Sequence, residues 1–156
     1  MSINIDIADE RWSGIFSVQA CVERWVAAVR VVLQKEQAAM PVAVRLSNDE
    51  EVRELNRTFR HKDAPTNVLS FPSAPGDELA HFEDEAGLGD IILALETVQR
   101  EAEMDGKNFE SHVAHLVVHG VLHLAGYDHE EQSAAEEMEN LEIRILQSLG
   151  IADPYA

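Results

Sequence analysis

The chain has 156 residues, 46 % apolar and 26 % charged, which suits one globular domain with its own core. Its net charge of −17 falls on residues 63–156, because residues 1–62 carry as many basic as acidic side chains; such a surface repels nucleic acid on average. The single cysteine, Cys21, excludes an intramolecular disulfide and suits a reducing cytoplasm.

The N-terminus "MSINIDIADERW" places acids where a secretory signal would carry basic residues. "INIDI" (3–7) alternates apolar and polar residues as a half-buried strand does. From Ser17 to Ala39, Val18, Val22, Trp25, Val29, Val32 and Leu33 recur at helical spacing, and Pro41 follows. The apolar run "WVAAVRVVL" inside it is short and carries Arg30, which excludes a membrane span. "VAVRLS" (42–47) alternates again. Residues 47–60 have a Ser or Asn cap and acids in the first turn, with Val52, Leu55 and Phe59 facing a core. "TNVLSF" (66–71) predicts a short strand. Residues 72–87, rich in Pro, Gly and acids, predict a surface loop. "LGDIILA" (88–94) predicts a buried strand leading into the helix of "LETVQREAEM". A helix from about Asn108 to Ala125 is stopped by Gly126. The last helix, about 131–149, has Ala134, Met138, Leu141, Ile145 and Leu149 on one face. The order β-α-β-α-β-β-α-α-α predicts a single α+β domain over 1–156, a small mixed sheet surrounded by about five helices.

The chemistry concentrates in "HGVLHLAGYDH" (119–129). His119 and His123, at i and i+4, leave one helix face a turn apart and can share a metal ion. Gly126 then lets the chain turn, so that His129 can return to the same ion. Three imidazoles suit one Zn2+ with a fourth position open to water, whose pKa zinc lowers to about 7. The spacing is also that of metzincin proteases, whose second position is a glutamate base. Gly120 stands there instead and reads as space beside the metal. His115, one turn back, and Asp128, beside the third histidine, are candidates to support the ligands from behind; Asp128 is equally suited to a plain turn. His112 lies too far up the helix to reach the same ion.

Arg53, Arg57 and Arg60 form one stripe on the helix of 48–60, followed by Lys62. A solvated face paired with Glu50 and Glu54 is the ordinary fate of such a stripe. In so acidic a chain it is also the local basic patch, and arginine suits the developing charge of a phosphodiester. Arg60, at the helix end, has the most freedom to reach a cleft.

These two segments, "HGVLHLAGYDH" and "LNRTFRHKDAPTNVLSFP" (55–72), with "LGDII" (88–92) between them, resemble the YbeY family of bacterial endoribonucleases, the rRNA maturation factors. The resemblance runs collinearly from about residue 40 to "GIADPY". It implies a zincin-like metal-dependent hydrolase fold and a zinc-dependent, single-strand-specific endoribonuclease. It further implies a role in 16S rRNA 3′-end maturation and ribosome quality control. The implied partners are single-stranded RNA, the 16S precursor, and the small ribosomal subunit with its assembly proteins. By this likeness His119, His123 and His129 are the metal ligands and Arg60 the functional arginine. Two rivals remain: a non-catalytic ribosome-assembly factor with a structural zinc, and a zinc protease.

Overall fold

The computed structural model describes residues 3–72, 87–128 and 130–155. His129 and most of the expected acidic loop, with His81 in it, lie outside the described residues. Among these, four strands and six α-helices follow in the order β1 (Ile3–Ile7), α1 (Val18–Val32), α2 (Lys35–Ala38), β2 (Val42–Ser47), α3 (Asp49–Arg60), β3 (Val68–Pro72), β4 (Gly89–Ala94), α4 (Leu95–Met104), α5 (Phe109–Leu124) and α6 (Gln132–Ser148). A 3-10 turn at Glu10–Gly14 buries Trp12, whose indole Nε1 donates to the Ser47 carbonyl at 2.7 Å.

The sheet order is β1-β2-β4-β3. β1 and β4 flank β2 in parallel, and β3 runs antiparallel to β4 at the edge. This is the mixed sheet the sequence predicts. β4 is buried at every position because both faces are covered. On one face Val42, Val44, Leu46, Ile91 and Leu93 pack with the apolar residues of α1, α5 and α6. On the other, Ile92, Ala94, Leu69 and Phe71 meet Val52, Leu55 and Phe59 of α3. The helix predicted over 17–39 divides into α1 and α2, because Leu33 and Gln34 turn extended between them. β3 begins at Val68, two residues later than expected.

The arrangement sets the site. α5 lies on the β4–β3 side of the sheet with α6 beside it, while α3 on the opposite face ends next to β3. The edge strand β3 therefore stands between the histidine helix and the arginine helix.

Candidate active site

α5 starts where Asn108 accepts from the Ser111 amide at 3.1 Å, and it ends at Ala125 before Gly126, whose φ of 102° only glycine adopts readily. The apolar residues Val113, Val117, Val118, Val121 and Leu122 bury one side of α5. The opposite side carries His112, His115, His119 and His123 in a row. The rings of His119 and His123 stand 4.5 Å apart and nearly perpendicular, whereas those of His115 and His119 are 6.2 Å apart. His112 is buried and bonds Glu101 through Nε2 at 2.9 Å, away from the others.

Behind the row lies Glu142 of α6, fully buried. Its Oε1 accepts from His119 Nδ1, and its Oε2 from His115 Nε2 at 3.1 Å and from the Tyr155 hydroxyl. Burial alone would raise this carboxyl. The bonds from His115, His119 and Tyr155 outweigh it and hold the pKa down at about 2. Burial and then the bond to Glu142 push the Tyr155 hydroxyl well above the tyrosine range, so it stays a donor. Ligand atoms of His115, His119 and Glu142 lie within 4.8 Å of one another, a group that can hold a metal ion. The His119 and His123 rings, 4.5 Å apart, are the other adjacent pair in the row. A carboxylate behind an imidazole is the arrangement that aims a metal-binding histidine, so the donor set fits a metal.

Sequence reasoning missed Glu142. The signal was there: it falls at i+4 from Met138 and i−3 from Ile145, in the middle of the apolar stripe of α6. Tyr155 was noticed only as part of the terminal "GIADPY".

A cleft of about 630 Å3 brings His115, His119, His123 and Tyr155 together with Arg60, across Val68, Leu69, Ser70 and Pro72 of β3. Arg60 is positioned by three contacts: Nη2 donates to the Ser70 carbonyl at 3.2 Å, Nη1 to the Phe59 carbonyl at 3.5 Å, and the guanidinium carbon sits 4.7 Å from the Phe71 ring centre. His61, in the left-handed conformation at φ 60°, ends α3 just after it. Lys62 lines a depression of about 460 Å3 that shares Arg60, Val68 and Leu69 with the cleft.

The rest of the arginine stripe is held elsewhere. Arg53 makes two bonds to Asp63 at 2.8 and 3.1 Å, and Arg57 bonds Glu54 at 2.7 Å. Asp128 is exposed and accepts from the Glu130 amide at 3.2 Å, which is the turn role. Gly120 is not space beside a metal: a Cβ there would meet Ile91 Cγ2 at 2.5 Å and Ser70 Oγ at 3.4 Å. Its missing side chain lets α5 approach the sheet.

The YbeY family model, described as endoribonuclease YbeY, matches residues 5–150 and so reaches well before residue 40, where the resemblance read from the sequence begins. Endoribonuclease YbeY of Rhodopseudomonas palustris (strain BisA53) is 47 % identical over 150 residues, 96 % of this chain and 87 % of its own length. Endoribonuclease YbeY of Chelativorans sp. (strain BNC1) is 48 % identical over 159 residues, 99 % of this chain and 93 % of its own. Among solved structures, the solution structure of TM1509 from Thermotoga maritima aligns over 97 % of both chains, with a TM-score of 0.58 and 26 % identity. With a match of this extent in sequence and fold, the chain belongs to the YbeY endoribonuclease family.

Proposed function

We propose that the chain is a zinc-dependent endoribonuclease that cuts single-stranded RNA and serves 16S rRNA 3′-end maturation and ribosome quality control. Its family supports the endoribonuclease role, a hydrolase acting on RNA phosphodiester bonds. The observation that carries the reading is the shared cleft, in which Arg60 faces the same space as His119 and His123. His119 and His123, joined by His129, would hold the zinc, and imidazole donors suit that ion. When bound, the metal supplies Lewis acidity to a phosphoryl oxygen and acidifies water. Arg60 binds a non-bridging phosphate oxygen and steadies the charge that develops there. Ser70 and Phe71 hold its guanidinium in place for that contact.

A cleft of about 630 Å3 has room for an unpaired nucleotide, which supports a single-strand preference. Among the described residues, Arg60 and Lys62 are the Lys and Arg side chains bordering the cleft and its extension, few for so acidic a chain. The substrate is therefore presented by the small ribosomal subunit and its assembly proteins, in the cytoplasm. No helix among the described residues is long and apolar enough to cross a membrane.

The experiment compares cleavage of single-stranded RNA, duplex RNA and an unfolded protein, with zinc and with a chelator. The reading expects zinc-dependent cutting of the single strand alone. Proteolysis without RNA cleavage would restore the protease reading. Zinc retained with no cleavage of any substrate would restore the assembly-factor reading.

A further inference from the structure

His115, His119 and His123 lie at i, i+4 and i+8 on one helix face, so two adjacent pairs could each chelate one ion. A metal centre needs one of these registers to win. The Glu142 carboxylate discriminates between them by the ring nitrogen it takes from each histidine. A carboxylate only accepts, so the nitrogen bonded to it carries the proton and the other ring nitrogen carries the lone pair. Glu142 takes Nδ1 of His119 but Nε2 of His115. The two neighbours are thereby held in opposite tautomers. His119 has its lone pair on Nε2, on the far side of the ring from α6. His115 has its lone pair on Nδ1, which is buried without a hydrogen-bond partner. His115 also borders a second cavity of about 360 Å3, lined in part by Ile151, Ala152, Asp153 and Pro154 of the C-terminal segment.

We propose that Glu142 is a positioning residue that sorts these histidines, making His119 a metal ligand through Nε2 and keeping His115 out of the ligand set. Tyr155, whose hydroxyl donates to the oxygen that His115 also uses, completes the device and ties the C-terminal segment to the metal site. This rests on the metal-dependent reading above. The carboxylate already takes three donors, two from α5 and one from the C-terminal segment, which suits a fixed orienting group better than a ligand.

The test reads tautomers directly, by long-range proton–nitrogen correlation on metal-free protein. The expected result is His119 protonated on Nδ1 and His115 on Nε2. His119 protonated on Nε2 would overturn the proposal in the wild type alone, whether or not any variant folds. Glu142→Gln offers one acceptor and one donor in place of two acceptors, so only one of the two rings can keep its present bond. Zinc affinity, read by chelator competition, should then fall by about 10–100-fold. Unchanged affinity in a folded Glu142→Gln would overturn it. His115→Ala should still bind zinc and keep the same cobalt(II) absorption spectrum. Loss of the metal in His115→Ala would instead make His115 and Glu142 ligands themselves and overturn the sorting role. None of these readouts uses RNA, so absence of RNA cleavage by the wild type would sink the nuclease reading and leave this result standing.

Discussion

Ile91 of β4 occupies the place where a side chain at Gly120 of α5 would stand: a Cβ at 120 would lie 2.5 Å from Ile91 Cγ2. Alanine is normally favoured over glycine inside a helix by about 1 kcal/mol. Here the sign reverses, since Ile91 is fully buried and a branched side chain yields little. Gly120→Ala should lower stability by about 1–3 kcal/mol in urea unfolding. The double variant with Ile91→Ala should lose less than the sum of the two single changes. Strict additivity would show that the two positions do not meet.

Arg60 and its neighbours on α3 should separate in function. Arg60→Ala should reduce kcat/KM on single-stranded RNA by roughly 100-fold, the scale of losing one donor to developing charge. Arg60→Lys should recover only part, because an ammonium replaces neither the planar fork nor the stacking on Phe71. Arg53→Ala and Arg57→Ala should each cost less than about threefold, since Asp63 and Glu54 already hold those side chains on the helix surface. Cleavage rates at matched zinc decide this. Equal losses at all three positions would mean that the whole stripe binds RNA.

How much of this was legible beforehand depended on sequence separation. The i, i+4 histidines, the glycine stop at 126 and the arginine at the end of α3 are local patterns, and the structure brings His119, His123 and Arg60 to one cleft. Strand alternation likewise foretold β1 and β2, and the apolar run at 88–94 foretold the buried strand β4. What stayed hidden were contacts between distant segments. Glu142 meets His119 across 23 residues, and Gly120 meets Ile91 across 29, so no local pattern joins them. The break at Leu33 carries no glycine or proline, and helix periodicity runs straight through it.

Acid should expose the pair that ties β2 to α3. The Arg45 guanidinium, through two bonds, holds the Glu51 carboxyl below its ordinary value of 4.5, and a further bond joins Arg45 to Asp6 of β1. A folded-state pKa lowered in this way gives stability that is fully present above about pH 4.5 and is lost as the pH falls further. The Tm gap between wild type and Glu51→Gln should therefore be widest near neutrality and narrow below pH 4.5. A gap that is constant with pH would detach it from this carboxylate.

Metal should stabilise the fold by mass action. Zinc at 100 times its Kd adds about 2.7 kcal/mol to a protein that binds it only when folded. Thermal scans should show Tm rising with zinc in the wild type and a much smaller rise in His119→Ala. An equal rise in both would place the ion elsewhere.

The most direct test of the central claim combines zinc content with cleavage of single-stranded RNA, measured on wild type and His123→Ala. The account predicts that the variant stays folded, loses its zinc and stops cutting. Equal zinc and equal cleavage in the two proteins would contradict it.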